Sequence, residues 1–282
     1  MPRTLTLASL MAMHYAPPQM LQLAADTGCR AVAVRVLSTV PGAVAYRLMD
    51  EPALLRETLA TMVGTGVKVL DLELIRIGPQ FNARDYEALA EVGAKLGAKH
   101  VLVIGDDPVE ARLIEGFAAI CDLLRPYGLT AELEFMPWAP CKDLASANRV
   151  LAAAARPNAG ILVDALHFAR SGSTIEQLDA TPREWLHYAQ MCDGAVPGPS
   201  TFEGMIYDAR CERLLPGEGG IDLRGLFAHL PQDIPVCIEI PSETRAPTMG
   251  YLEWARQAKA ASLDVLVKSN QHAECIPCLP PG

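Results

Sequence analysis

Four apolar runs in the second half of the chain stop on a polar side chain: Glu134 in AELEF, Asp164 in GILVD, Gln190 in HYAQMCD and Glu239 in VCIEIP. A carboxylate at the end of a buried strand has lost much of its water. It either pairs with a cation that holds the fold or binds a metal that does chemistry. One such residue is ambiguous. Four consecutive strands with the same ending ask for a fold that gathers those ends at one place. The stretch GILVDALH is the clearest: Ile161, Leu162 and Val163 read as a buried strand, Asp164 ends it, and His167 follows three residues later.

The rest of the chain supplies a strand–helix rhythm. Thr4 to Ala8 alternates in the strand period, Pro17 and Pro18 open a helix that Gly28 stops, and AVAVRV is a second strand with Arg35 near its end. Asp50 is expected to cap a helix with Pro52 in its first turn, ended by Gly64 and Gly66. KVLDLELI is strand three, with Leu70, Leu72 and Leu74 on one face and Asp71 and Glu73 on the other. Asn82 and Gly97 bracket the next helix, HVLVIG is strand four, and a long helix opened by Asp107 and Pro108 ends near Gly128. TAELEF, a helix from Asp143 to Ala154, and GILVD follow. Thr181-Pro-Arg-Glu184 reads as a short capping box before strand seven, LHYAQMCD. A Gly- and Pro-rich loop spans Gly194 to Gly220, LRGLFAHL is a short helix, PVCIEI is strand eight, and the last helix runs from Met249 to Val265. Residues 1–268 are read as one catalytic barrel domain and 269–282 as a disordered tail.

Eight strands alternating with eight helical segments over 282 residues fit a single (β/α)8 TIM barrel. A doubly wound open sheet competes, but its central strands are usually apolar on both faces. Here the outward face carries Leu70, Leu72, Leu133, Phe135, Val163, Ile238 and Ile240, while Arg35, Asp71, Glu73, Glu132, Glu134, Asp164, Gln190 and Glu239 point inward. Half of the residues are hydrophobic, enough for a large core, and the net charge of −9 argues against a nucleic-acid partner. No stretch approaches the ~20 uninterrupted apolar residues of a membrane span, so no membrane partner is expected. LTLASLMAMHYA after Arg3 reads as a first strand, because one Arg makes a poor leader n-region. The eight cysteines then read as free thiols of a cytoplasmic protein, and Cys275-Ile-Pro-Cys278 near His272 lacks the second Cys pair of a zinc site.

Closing the barrel sets the ends of strands five to eight side by side, where the active sites of such barrels lie. Three carboxylates at close range repel strongly, and a divalent cation relieves the repulsion. An all-oxygen set, with Gln190 offering its carbonyl, suits Mn²⁺ or Mg²⁺, with Co²⁺ admissible and Zn²⁺ less suited. The competing reading is a buried network neutralised by Arg35, Arg76 or Arg210.

Glu134, the Asp164-x-x-His167 pair, the polar end of strand seven and Glu239 together resemble the xylose-isomerase-like TIM barrels, and the segment from Arg210 to Asp222 resembles their R…PGEG loop. The resemblance covers strands five to eight in detail and the first half as rhythm. It implies a sugar isomerase, an epimerase or a related lyase, with Glu134, Asp164, Gln190 and Glu239 as the metal ligands. Many epimerases of the group place a His on strand seven; Gln190 is similar instead to the pattern of bacterial 3-dehydroshikimate dehydratases. These reactions share a first step, loss of a proton next to a carbonyl. In the epimerase reading Glu134 and Glu239 serve from opposite faces. In the dehydratase reading His167 is the acid/base, since an ordinary His pKa lies near working pH. Arg210 in the long loop, Arg76 just past strand three and Trp138 after EFMP are the candidate contacts to a small-molecule substrate. Arg35 is expected to pair with Glu73 or Glu132, His187 to face the helices, and Asp193 to support the site. The resemblance alone implies a homodimer.

The leading expectation is therefore a metal-dependent isomerase or epimerase of a small polyhydroxylated carbonyl compound. The alternative is a dehydratase of a cyclic hydroxyketone such as 3-dehydroshikimate. A binding protein with a dead site sits behind both, and a nuclease on the same barrel is opposed by six histidines mostly away from strand ends.

Overall fold

The structure, a computed structural model, describes residues 3–38 and 42–273. Eight parallel strands pair in chain order, and the first pairs with the last: β1 (Leu5–Leu7), β2 (Ala31–Arg35), β3 (Lys68–Ile77), β4 (His100–Gly105), β5 (Thr130–Glu134), β6 (Ala159–Asp164), β7 (Ala189–Met191) and β8 (Val236–Ile238). The expected barrel is thus closed. Around it lie α1 (Pro17–Thr27), α2 (Pro52–Thr65), α3 (Glu87–Leu96), α4 (Glu110–Leu124), α5 (Leu144–Ala154), α6 (Ala165–Arg170), α7 (Ile175–Asp179), α8 (Phe202–Cys211), α9 (Leu223–His229), α10 (Arg245–Met249) and α11 (Tyr251–Ala273). Among the described residues no helix is long and apolar enough to cross a membrane.

Strand alternation sorts the apolar side chains into two bodies. Leu72, Leu133, Phe135, Val163, Ile238 and Ile240 pack between sheet and helices. Leu70, Leu74, Leu102, Ile104, Leu162 and Tyr188 fill the barrel interior. Leu70 and Leu74 therefore depart from the single face expected for them with Leu72. The cause is two register shifts in β3: Val69 pairs with Val32 but Asp71 with Ala33, and Leu72 pairs with Val101 but Ile75 with Val103. Each shift inserts one residue and flips the parity beyond it.

Other departures are local. Asp50 pairs with Arg47, and Glu51 takes the N-cap position of α2 without a side-chain bond. Thr181 donates its hydroxyl to Gln177 O at 3.0 Å, and the capping box here is Thr174 with Gln177, which starts α7. The expected loop from Gly194 to Gly220 contains α8, whose first turn is held by Thr201 Oγ1 accepting from the Gly204 N–H at 3.1 Å. The final helix runs on to Ala273, and within it the buried Ser262 and Ser269 donate their hydroxyls to Ala258 O and Val265 O. The rest of the expected tail, with Cys275 and Cys278, lies outside the described residues. All six described cysteines are free, and five of them are buried.

Candidate active site at the C-terminal mouth of the barrel

Glu134 and Asp164 are the last residues of β5 and β6, Gln190 lies within β7, and Glu239 follows β8 with its N–H on Met191 O at 3.0 Å. All four are buried. One oxygen from each of Glu134, Asp164 and Glu239 lies within 4.8 Å of the other two. Gln190 Nε2 donates to Glu239 Oε1 at 3.0 Å, and Gln190 Oε1 has no partner. The four strand ends therefore meet, as their spacing predicts.

A guanidinium also enters the cluster, though none of the three considered from the sequence. Arg213 Nη1 donates to Asp164 Oδ2 at 2.6 Å, its Nη2 lies 3.0 Å from Glu239 Oε2, and its Nε donates to Ala209 O at 2.8 Å. Three carboxyl groups face one guanidinium, so full ionisation would leave an excess of two negative charges (3 − 1 = 2), which protons or a cation must offset. The carboxyls respond unequally. Burial works against ionised Asp164, but Arg213, His167 and the His167 N–H hold its pKa below the ordinary value. Burial, then the charges of Glu239 and Asp164, push Glu134 well up. Burial raises Glu239 to about 8 in spite of Arg213, with Asp164 adding to the rise.

His167 sits in the first turn of α6, which Asp164 caps: the His167 N–H donates to Asp164 Oδ1 at 2.9 Å. Its Nε2 is 3.8 Å from Glu134 Oε1, and its Nδ1 has no partner. Burial pushes its pKa down to about 4, against the expectation of a value near working pH. Trp138 meets the imidazole edge to face at 5.1 Å.

These groups open into a cavity of about 240 Å³ whose wall includes Met13, Leu74, Trp138, His167 and Arg210. Arg210 forms no ion pair among the described residues, and burial followed by repulsion from Arg76 and Arg35 lowers its pKa. Arg76 is not part of this wall: it pairs with Asp106 at 2.8 Å, because the bulged end of β3 carries it towards β4. Arg35 pairs with Glu73 at 2.6 Å as expected. A wider groove of about 670 Å³ beside Phe81 and α4 touches none of these groups.

The residues present fit a divalent cation. The cluster has two more carboxyl groups than guanidinium groups, an orphaned buried amide oxygen and hard oxygen donors throughout. A family model described as the xylose isomerase-like TIM barrel matches residues 21–265. The chain belongs to that family. The inosose isomerase of Bacillus licheniformis is 24% identical over 197 residues, 65% of this chain and 68% of that protein. The solved structure of an IolI protein with a bound zinc atom superposes with a TM-score of 0.77 at 20% identity, covering 94% of this chain and 99% of that one. A probable 3-DHS dehydratase, AsbF of Bacillus anthracis, superposes with a TM-score of 0.74 at 15% identity, covering 94% and 98%. At such identities the superpositions speak for the fold.

Two features of this xylose isomerase-like barrel escape a reading of the sequence. Arg213 is one, since nothing in RCERLLPG says which Arg turns inward. The other is the work of Asp193. Its carboxylate accepts from the N–H groups of Gly194, Gly217, Gly219 and Ile221 at 2.8, 2.8, 3.1 and 3.2 Å. A Cβ on Gly219 would collide with it. Asp193 also bridges Leu214 through the backbone, so it fixes the segment that delivers Arg213. The run of glycines beside an acid was the signal available. His187 does not face the helices, because β7 begins only at Ala189 and strand parity does not reach back to it. It turns to Glu132 at the opposite mouth of the barrel.

Proposed function

We propose that the chain is a divalent-metal-dependent isomerase or epimerase of a small polyhydroxylated carbonyl compound, with Glu134, Asp164, Gln190 and Glu239 holding the ion. The observation that carries this reading is the convergence of three buried carboxyl groups with an unpartnered amide oxygen. Mn²⁺, Mg²⁺ or Co²⁺ suits an oxygen set. When bound, such an ion supplies positive charge where negative charge develops on a substrate oxygen. Glu134 and Glu239 move the proton: one carboxylate takes it from the carbon next to the carbonyl and the other returns it. In the ion-free site burial raises both carboxyls and the charge of Asp164 adds to each rise, so both are able to hold a proton there. His167, neutral because burial holds its pKa at about 4, stands beside Glu134 with Nε2 3.8 Å from its Oε1. Arg213 fixes Asp164 and Glu239, and Trp138 walls off water. A cavity of about 240 Å³ is the scale of a single sugar ring, below the ~300–1,000 Å³ of drug-sized sites. Inososes and ketoses are the substrates to try first, in line with the relatives' names.

One observation favours a second reading. Arg210 faces the cavity without an acidic partner among the described residues, as a site for a carboxylate-bearing substrate would require. That would make the enzyme a dehydratase of a compound such as 3-dehydroshikimate. The test is to strip the protein with a chelator, reload it with each ion, and assay an inosose and ketose panel beside 3-dehydroshikimate. Ion-dependent isomerisation or epimerisation of an inosose or ketose, with a solvent deuteron in the product, supports the first reading. Ion-dependent dehydration that Arg210→Met weakens through KM supports the second. Neither activity, with no ion retained, leaves a binding protein.

A further inference from the structure

The N-terminal mouth of the barrel holds a second convergent cluster. His100 opens β4, Glu132 lies in β5, and His187 precedes β7. His100 Nδ1 and His187 Nδ1 lie 3.1 and 2.7 Å from the same oxygen, Glu132 Oε1. The two rings stack with centroids 5.7 Å apart, which keeps both Nδ1 atoms turned the same way. Glu132 is fully buried, and its second oxygen, Oε2, has no partner. That oxygen occupies space left by Gly160, where a Cβ would collide with both Glu132 Oε2 and His187 Nδ1. An unpaired carboxylate oxygen kept in a pocket cleared for it is costly unless something else binds there.

We propose that His100, Glu132 and His187 form a zinc-class metal site, separate from the mouth that carries the carboxylate cluster. The ligand atoms all lie within 4.8 Å of one another. Tetrahedral zinc with bonds of about 2.0–2.1 Å sets its ligands about 3.3 Å apart, so a slight opening of the two His–Glu contacts admits the ion. Two imidazole nitrogens and one carboxylate select zinc over magnesium or calcium. His100 and His187 also line a solvent-open pocket of about 460 Å³ beside Glu184 and Asp233, from which water could complete the set. The ion ties β4 and β5 to the irregular approach to β7. This end of such barrels carries stability rather than chemistry, so the role is structural.

The proposal is independent of the activity assigned above, and metal counting separates the two. Purified protein is dialysed against Zn²⁺ and its bound metal counted by mass spectrometry, for wild type, Asp164→Asn/Glu239→Gln, and His187→Gln. The double variant should retain one zinc, and X-ray absorption on that zinc should show two imidazole nitrogens. His187→Gln should keep its circular dichroism and weaken zinc at this site by about a hundredfold or more, since losing even an outer partner of a ligand costs 10–100-fold. Zinc binding unchanged in a folded His187→Gln protein overturns the proposal, as does an all-oxygen zinc in the double variant. A wild type that binds one zinc, lost only on changing His187, supports this site, and Mn²⁺ counted on the same variants reads the other.

Discussion

Glu132 and Glu134 lie two residues apart on β5, point into the same barrel, and are both buried. Their surroundings are opposite. Glu132 meets two imidazoles and the Thr130 hydroxyl, and is held down to about 2. Glu134 meets burial and the carboxylates of Glu239 and Asp164, which outweigh the charge of Arg213, and is pushed up. Between them Leu70, Leu102, Leu162 and Tyr188 form an apolar plug. One strand face therefore feeds two polar mouths. The N-terminal mouth pairs unlike charges and holds the barrel together. The C-terminal mouth crowds like charges, which weakens the fold there and leaves a place for a cation and a proton carrier.

The comparison fails if the two glutamates answer substitution alike. Glu134→Gln should cut turnover by about 10²–10⁴-fold, the usual share of a positioned acid–base group. Metal-free Glu134→Gln at pH 8 should melt no lower than wild type, because a repelling carboxylate is gone. Glu132→Gln should melt lower, because two imidazoles lose their acceptor. Turnover measured beside thermal melts reads both.

Arg213 comes next in size. Removing one partner of a buried ion pair costs about 3–5 kcal/mol, and Arg213 serves two carboxylates. Arg213→Met should therefore lose about that much in metal-free denaturant unfolding, with part of the loss restored by Mn²⁺ or Mg²⁺. No recovery on adding the ion would count against a cation among these oxygens.

Most of the C-terminal mouth was legible in the sequence, and most of the N-terminal mouth was not. Strand-end Glu134, Asp164, Gln190 and Glu239 stand out because a polar residue closing an apolar run is conspicuous, and closure brings neighbouring ends together. Arg213 was not legible, because loop conformation decides which Arg enters. The pairing of Arg76 with Asp106 was not legible either, since it follows from the bulged register of β3. His100 and His187 stand 87 residues apart (187 − 100), one opening a strand and the other outside any. Only the barrel's register places both beside Glu132. The helix α8 was hidden by flanking Gly and Pro residues that read as loop.

The two mouths should also titrate in opposite directions. Folded Glu239 has a pKa of about 8, whereas free Glu lies near 4.3. Between those values the folded chain holds a proton that the unfolded chain has released, so stability falls as pH rises through the window. Glu132 runs the other way: with a folded value of about 2, its contribution is full above about 4.3 and is lost as pH falls towards 2. Melts of metal-free protein should show both limbs. Glu239→Gln should flatten the alkaline limb alone, and a divalent cation should do the same by displacing the proton. An alkaline limb untouched by either would mean that Glu239 is not its source.

Thr130→Val tests the N-terminal mouth most gently. The Thr130 hydroxyl donates to Glu132 Oε1 and lies 2.7 Å from His100 Nδ1. Hydrogen bonds to charged groups contribute about 1.5–3 kcal/mol, and this one should fall at the low end because both imidazoles still face the same oxygen. Valine preserves the shape, so the measured loss reports the hydroxyl and not a cavity. Zinc should shrink that loss, because an ion bound to the carboxylate takes over the charge that the hydroxyl was solvating. A penalty equal with and without zinc would place any bound zinc elsewhere than on Glu132, and would leave the contrast between the two glutamates resting on hydrogen bonds alone.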